Sequence, residues 1–183
     1  MDRLDGWPAP KTLGRFKITP KPAMFVVSLR HFSPSGAFAN ALHSGSEIEL
    51  ASRPNQLQAV PGTSDALVMW RSPSESLLLT PDPTAVDRLE SGITAQLDGY
   101  MVDLTGGACV IQVEGIGIEE LVSGLGGFDA MPPVGRSRQT MLADVRIALI
   151  RPQDDRLLML VDRAYLHHLA LSLRDVAAHL SAE

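Results

Sequence analysis

Cysteine and histidine are the side chains of this sequence best suited to nucleophilic or metal chemistry, because both react or coordinate near neutral pH. The single cysteine, Cys109, lies in the apolar run 108–111 and has no histidine beside it in the sequence. We therefore interpret it as a small buried hydrophobic residue rather than a nucleophile.

The five histidines form no Cys/His or His-x-Glu ligand pattern; they are His31, His43, His167, His168 and His179. His167 and His168 are adjacent on a predicted helix and point about 100° apart, which disfavours chelation of one ion. We predict surface histidines and no metal site.

Two glycines of segment 115–120 could belong to a dinucleotide-binding turn. Gly115 and Gly117 follow a predicted strand and precede a predicted helix, where such a turn holds a pyrophosphate. Glu120 stands in place of the third glycine of that pattern. Together with Glu119 it puts negative charge in the first helical turn, which favours the helix dipole but repels a pyrophosphate. We interpret the segment as an ordinary turn.

The adjacent carboxylates Asp154 and Asp155 could serve acid–base chemistry. They fall in a predicted hairpin turn, where aspartate favours the turn itself and exposure gives no desolvation to shift a pKa. No serine lies in a nucleophile-elbow pattern, and no phosphate-binding loop is present. The sequence therefore predicts no catalytic, cofactor-binding or metal-binding residue in this chain.

The composition is typical of a soluble globular domain. Of the 183 residues, 45% are hydrophobic, which suffices for a core without disulfides or a structural metal. The formal net charge of −5 gives no reason to expect nucleic-acid binding. Because the sequence has one cysteine, no signal-like N-terminus and no apolar stretch of roughly 18 residues, we predict a cytoplasmic protein without membrane association.

Residues 1–20 are polar and contain three prolines, so we predict an extended N-terminal arm. Its two aromatic residues, Trp7 and Phe16, are large apolar anchors. The arm could fold back over its own core, or it could lie on a partner protein, where aromatic anchors carry much of the binding energy. Both alternatives stay open, and Trp7 and Phe16 are the candidate partner-interface residues.

From residue 21 onward the apolar spacing predicts one α+β domain of two similar halves, about 21–99 and 100–183. The first half has a predicted strand over 24–32, a short helix that Ser33 caps and Gly45 ends, a short strand over 47–50 and a connection over 53–62. A hairpin of strands 66–70 and 76–80 follows, then a helix that Asp82 caps and that ends near Leu97. A strand over 100–104 comes next.

The second half repeats this scheme. We predict a strand over 108–114, a helix over 116–125, a strand over 138–143, a hairpin of strands 145–150 and 157–161, and a final helix that Asp162 caps. The two hairpin–helix segments align without a gap at an offset of 80, which places Asp82 on Asp162 and Arg71 on Arg151. We infer a duplication of a β-α-β-β-α-type unit, packed as one body.

From about Asp65 onward the chain resembles the gamma subunit of heterotetrameric sarcosine oxidase. The resemblance spans roughly two-thirds of the chain and depends on the order of several segments: 70–80 (WRSPSESLLLT), 102–105 (VDLT), 110–115 (VIQVEG), 129–135, 139–143 (QTMLA), 145–151 and 157–173. It implies a fold similar to the folate-binding domain of aminomethyltransferases, which is itself a duplicated α+β body.

The resemblance also implies partners and cofactors. It implies membership of an alpha–beta–gamma–delta complex that oxidatively demethylates sarcosine or a related N-methyl amine. The complex is expected to carry FAD, FMN and NAD and to use tetrahydrofolate, with these sites mainly in the alpha and beta chains and none in this chain. Aminomethyltransferases have a Gly-rich hairpin and an acidic pair for folate, whereas here Ala143-Asp144 passes straight into Val145.

Three hypotheses for function follow. The first is a non-catalytic gamma subunit that contributes to assembly of a sarcosine oxidase-like complex. The second is a stand-alone folate-binding or one-carbon protein of the aminomethyltransferase-like fold. The third is a small enzyme that uses Cys109 or the histidines.

Overall fold

The computed structural model describes residues 9–63, 65–93 and 98–181. The chain divides into two compact units. The central unit contains residues 23–105, and the terminal unit joins the chain up to Pro22 with the chain from Gly106 onward. Among the helices in the described ranges, none has the length and apolar character that a membrane span requires.

The elements alternate between strands and helices along the chain. In chain order they are β1 (Lys11–Leu13), β2 (Phe16–Pro20), β3 (Phe25–His31), α1 (Ala37–Ser46), β4 (Leu57–Ala59), β5 (Leu67–Ser72), β6 (Glu75–Thr80), α2 (Pro83–Gly92), β7 (Gly99–Asp103), β8 (Ala108–Gly115), α3 (Ile118–Gly124), β9 (Arg136–Leu142), β10 (Val145–Gln153), β11 (Arg156–Asp162), a 3₁₀ turn (Arg163–Tyr165) and α4 (Leu166–Leu180).

Each unit has one antiparallel sheet and two of the helices. The central sheet has five strands in the order β4-β5-β6-β3-β7, and the terminal sheet has six in the order β1-β2-β8-β11-β10-β9. The α+β class with two similar halves is therefore confirmed.

Alternation along the strands supplies one face of each sheet to a core beneath the helices. In the central unit Val27 and Leu29 of β3 pack with Phe38, Leu42 and Leu89 of the two helices. The terminal unit has a larger cluster of the same kind; it includes Ile111, Val113, Met159, Leu121, Leu169 and Leu173. Each unit thus buries a core of its own.

The two sheets share one strand order, and this supports the duplication. Strands β4, β5, β6, β3 and β7 correspond in position to β9, β10, β11, β8 and β2. In the chain, β2 comes directly before β3 and β7 comes directly before β8. The pairing is crossed: β2 pairs with β8, and β7 pairs with β3. Each repeat therefore gives its first strand to the sheet of the other repeat. The boundaries consequently differ: the central unit, 23–105, includes β7, which was predicted in the second half, and the terminal unit includes the chain up to Pro22.

The alignment at an offset of 80 is wrong within the hairpins. It places Val68 on Ala148, but Val68 belongs to the central core while Ala148 lies outside the terminal core. At an offset of 81, Val68 matches Leu149 and Leu78 matches Met159, and all four are core residues. Val68 pairs with Leu78 in the first hairpin, as Leu149 pairs with Met159 in the second. A slip of one residue turns every strand side chain to the opposite face, so the offset matters. The offset of 80 holds at the helices, where Asp82 and Asp162 both accept a hydrogen bond as caps.

Four local predictions in the central unit are also wrong. Ser33 does not cap α1; instead Asp98 Oδ1, from 60 residues away in sequence, accepts a hydrogen bond from the Phe38 N–H at 2.6 Å. α1 continues past Gly45 to Ser46, and its C-cap, Glu47, takes a left-handed conformation at φ 55°. Residues 47–50 form no strand. α2 ends at Gly92, before the predicted end near Leu97, which lies outside the described residues.

The described part of the N-terminal segment, residues 9–20, folds onto the terminal unit. β1 and β2 form a tight hairpin, and β2 pairs along its length with β8. The Phe16 side chain is fully buried in the terminal core. For Phe16, the alternative of folding back over its own chain is the one observed. Trp7 lies outside the described residues, and a single duplicated body over 21–183 stays a prediction.

Candidate functional site

Cys109 lies on β8, faces the terminal core and is buried, as predicted. Burial raises the pKa of its thiol, Asp162 raises it further, and Arg163 opposes them. A thiol that resists ionisation is a poor nucleophile. Within the described ranges, no group of three His, Cys, Asp or Glu side chains is placed to hold a metal ion.

The histidines occupy separate places, and one contradicts the prediction of surface positions. His31 is buried at the end of β3, where burial lowers the pKa of its imidazole and Asp98 partly offsets that effect. Neither of its ring nitrogens has a hydrogen-bond partner among the described residues. His43 lies 4.0 Å from Glu49, and His168 contacts the carbonyl oxygen of Ala143 at 2.9 Å. These positions do not assemble a catalytic group.

The segment 115–120 is a turn into a short helix, as predicted. Gly117 takes a left-handed conformation at φ 79° before α3 begins. The guanidinium of Arg15 lies beside Gly117 and forms an ion pair with Glu120. An arginine of the chain's own N-terminal hairpin therefore lies at this turn and pairs with one of its two glutamates.

The carboxylate of Asp154 is part of a cluster around Arg151, which the sequence did not predict. The Arg151 side chain is 9% exposed, and its Nη2 lies 2.5 Å from both Glu119 Oε1 and Asp154 Oδ1. The same nitrogen donates to the carbonyl oxygen of Asp154 at 3.1 Å. At the offset of 81 its counterpart in the central unit is Trp70, so the match of Arg151 with Arg71 is wrong.

The Arg151 cluster connects separate parts of the terminal unit. It ties β10 to the start of α3 and to the turn before β11, and its Nη1 also reaches the carbonyl oxygen of Pro132 at 3.4 Å. Every hydrogen bond described for this guanidinium goes from Nη1 or Nη2 to an acceptor of its own chain, whereas its buried Nε has no hydrogen-bond partner among the described residues. Its two carboxylates are more than half exposed, so their remaining lone pairs can be hydrated.

An apolar groove of about 210 Å³ lies in the terminal unit between the N-terminal hairpin and α4. Its apolar wall includes Ala9, Leu13, Ile18, Ile111, Ala170 and Leu171. Its polar lining consists of Lys11, His167 and Arg174, and the Arg174 guanidinium is paired with Asp175 Oδ1 at 2.8 Å. Lys11 is the lining cation that could attract a negatively charged group.

An ion pair helps to hold the hairpin beside this groove. Lys17 Nζ of β2 lies 3.3 Å from Glu114 Oε2, directly across the ladder. Burial acts to raise the pKa of Glu114, but hydrogen bonds from Gln112 and Lys17 and the charges of Lys17 and Arg156 together lower it. The contribution of this pair to stability is therefore present at neutral pH and lost as Glu114 protonates in acid.

The family assignment comes from the sequence as a whole. The profile of the sarcosine oxidase, gamma subunit family matches residues 30–179, which is most of the chain. This chain belongs to the sarcosine oxidase gamma subunit family. The predicted resemblance is thereby confirmed. A comparison with the curated proteins finds no relative of significant sequence similarity.

Two solved structures share the fold of this gamma-family chain. One is the heterotetrameric sarcosine oxidase from Corynebacterium sp. U-96, with 21% identity, a TM-score of 0.79 and coverage of 94% of this chain and 89% of that chain. Another is the glycine cleavage system aminomethyltransferase T from Bartonella henselae, with 10% identity, a TM-score of 0.65 and coverage of 88% and 46%. The implied aminomethyltransferase-like fold is confirmed.

The connection between β9 and β10 is the point where this chain departs from the folate-handling pattern. Ala143 and Asp144 alone join the two strands, and both take left-handed conformations, at φ 47° and 62°. The N–H of Ala143 donates to the carbonyl oxygen of Leu125, and its own carbonyl contacts His168. Because this turn is minimal and carries one carboxylate instead of a pair, the residues present do not fit the folate role.

Proposed function

We propose that this chain is the gamma subunit of a heterotetrameric sarcosine oxidase-like complex and contributes to its assembly. The main observation that supports this proposal is the family match over residues 30–179. The chemistry of the described residues agrees with an accessory role: the Cys109 thiol is buried, and the Arg151 guanidinium is held by carboxylate and carbonyl oxygens of its own chain.

In this proposal the partners are the alpha, beta and delta subunits of the same complex. The complex oxidatively demethylates sarcosine or a related N-methyl amine. FAD, FMN and NAD are carried by the other chains, and tetrahydrofolate is used by the complex without a site in this chain. The two-residue turn at Ala143 and Asp144 supports placing the folate site elsewhere.

Two surfaces of this chain are proposed to meet a partner. The first is Trp7, as the remaining aromatic anchor of the N-terminal segment. The second is the groove beside β1 and α4, whose basic lining would accept an acidic residue next to an apolar one. The N-terminal segment supplies Trp7 and the hairpin side of the groove, and α4 supplies the other side of the groove.

Co-expression tests the proposal. The chain carrying an affinity tag is expressed with the flavoprotein and zinc-binding products of its neighbouring genes. We expect a stoichiometric complex that contains bound flavin and oxidises sarcosine. Recovery of the free monomer alone, with no flavoprotein, would contradict it.

The alternative, a stand-alone folate-binding protein, is not favoured by the family assignment. Calorimetric titration of the isolated chain with tetrahydrofolate distinguishes the two. We expect no saturable heat above the dilution background. Saturable binding by the isolated chain would restore the alternative.

A further inference from the structure

The two sheets differ in one strand, and the difference lies at β7. In the terminal sheet, β2 is covered on its outer side by β1. In the central sheet, β7 occupies the position that corresponds to β2 and ends the sheet, and in the described part of the chain no strand pairs with its outer side. The internal repeat thus leaves one strand position of the central sheet open.

The hydrogen bonds of β7 show which backbone groups point to that position. Phe32 N–H donates to the Asp98 carbonyl at 3.0 Å, and Leu104 N–H donates to the Val26 carbonyl at 2.8 Å. Bonding alternates along an antiparallel ladder, so residues 98, 100, 102 and 104 face β3. The N–H and C=O groups of 99, 101 and 103 therefore face outward.

β7 has few of the features that usually protect an edge strand. Such edges are blunted by short length, by charged residues (above all lysine) or proline, by a bulge, or by a covering helix or loop. The charged residue of β7 is Asp103, at the end of the strand. β1 and β4 are three residues long, and the edge strand β9 carries Arg136 and Arg138. β7 has five residues, none of them basic or proline, and its register with β3 is regular.

The exposed side chains of β7 describe what would lie beside it. Tyr100 and Val102 are 52% and 38% exposed and lie on one face, because residues two apart share a face in a strand. At the end of β7, Asp103 is exposed and accepts a hydrogen bond only from the Thr105 N–H among the described contacts. A complementary strand would carry apolar residues next to Tyr100 and Val102 and a basic residue near Asp103.

We propose that an extended, basic-ended segment of another subunit adds to the central sheet as a sixth strand along β7. The inference rests on the proposed function, because it requires a partner subunit. Strand addition gives affinity through main-chain hydrogen bonds and specificity through alternate side chains. A second copy of this chain fits less well, since antiparallel self-pairing about Met101 places each Asp103 opposite Gly99 and leaves both carboxylates without a basic partner.

Met101→Pro and Met101→Ala form the matched pair of variants that tests this inference. Both lose the methionine side chain, which packs partly on the central core, but only proline also removes the outward N–H. Proline is tolerated where an edge-strand N–H faces away from the ladder. Recovery of co-expressed alpha and beta subunits on the tagged chain is measured. We expect Met101→Ala to recover them like the parent, and Met101→Pro to recover about tenfold less.

A second pair keeps the test valid if Met101→Pro does not fold. Val102→Lys places a charge beside the proposed strand, whereas Met141→Lys does so on the 57% exposed Met141 of β9. We expect reduced recovery of partners for Val102→Lys alone. In the complex, the Met101 amide should exchange with deuterium at least about tenfold more slowly than in the isolated chain.

The outcomes separate the two proposals. If the parent chain and all four variants recover partners equally, strand addition is wrong and the gamma-subunit function stands. If the parent chain recovers no partner, both are wrong. A slowly exchanging Met101 amide in the isolated monomer, or a homodimer that Met101→Pro dissociates, would also overturn addition of a partner's strand.

Discussion

Arg71 and Arg151 each lie near the end of the first strand of a hairpin, β5 and β10, yet their environments differ. Arg71 is 43% exposed and its Nε lies 3.5 Å from Glu75 Oε2. Arg151 is 9% exposed and contacts two carboxylates and two carbonyl oxygens. The ungapped alignment could not distinguish them, because both hairpins carry a one-residue bulge at matching positions and the length difference lies later. The central unit has one residue more than the terminal unit between the core position of its second hairpin strand, Leu78 or Met159, and the helix cap, Asp82 or Asp162.

This difference predicts unequal losses of stability when each arginine is replaced. Arg151→Met removes the shared donor of Glu119 and Asp154, and we expect the free energy of unfolding to fall by about 1–2 kcal/mol; the loss is limited because both carboxylates can rehydrate. Arg71→Met, the control, should change it by less than about 0.5 kcal/mol. Urea unfolding of the isolated chain measures both. Equal losses would show that the Arg151 cluster is not structural.

Cys109 should be chemically inert in the folded chain. Burial raises the pKa of its thiol, so the thiolate forms only above the usual range. We expect maleimide to label native Cys109 about 100-fold more slowly than the urea-denatured chain at the same pH. The control is Cys109→Ala combined with Ser123→Cys on the exposed side of α3, which should label quickly in both states. Rapid labelling of native Cys109 would reopen the hypothesis of a cysteine enzyme.

At the scale of elements, the turn between β9 and β10 carries backbone strain. Ala143 holds φ at 47°, a conformation that glycine adopts more readily than alanine. Two contacts hold Ala143 in this conformation: its N–H donates to the carbonyl oxygen of Leu125, and its carbonyl oxygen contacts His168 Nε2. The tight turn therefore depends on its neighbours in α3 and α4 rather than on its own sequence.

Replacing Ala143 with glycine should relieve this strain. We expect Ala143→Gly to raise the free energy of unfolding by about 0.5 kcal/mol, because relief of the left-handed conformation exceeds the added entropy of the unfolded chain. The control is Ala59→Gly on the edge strand β4, which has no positive φ and should lose about 0.5–1 kcal/mol. Thermal unfolding compares the two. A loss for both variants would argue against strain at Ala143.

Elements that depend on nearby residues were predictable, and elements that depend on distant residues were not. Both hairpins and the caps Asp82 and Asp162 follow from local turn and capping chemistry. The cap of α1 was missed because the acceptor, Asp98 Oδ1, is 60 residues away in sequence from the donor, the Phe38 N–H. Burial of His31 was missed because one histidine at a strand end does not change an apolar alternation.

At the scale of the whole molecule, the exchanged strands link the ends of the chain. β2 lies in a sheet whose other main strands come after residue 107, so its pairing with β8 joins residues about 95 apart in sequence. No periodicity within a half predicts which sheet a strand enters. For the candidate site, the turn at 115–120 could be predicted from the sequence, whereas the groove beside α4 required this long-range pairing to form.

The exchange changes what truncation of the N-terminus should do. An extended arm would be dispensable for folding, but residues 11–20 supply β1, β2 and the buried Phe16 and Ile18. We expect deletion of residues 1–20 to abolish cooperative unfolding or to lower its free energy by several kcal/mol, because core residues of β8 lose their cover. Deletion of residues 1–8, which removes Trp7 but neither strand, should leave it within about 0.5 kcal/mol.

The same two deletions separate folding from assembly. If Trp7 contacts a partner, deletion of residues 1–8 should reduce recovery of the co-expressed alpha and beta subunits although the chain remains folded by circular dichroism. Trp7→Ala in the full chain tests the same contact with a single substitution. Phe16→Ala is the comparison: because Phe16 is buried, its replacement should lower the free energy of unfolding by about 3–5 kcal/mol. Full recovery of partners by the 1–8 deletion and by Trp7→Ala would remove Trp7 from the interface, and assembly would then depend on surfaces within the described fold.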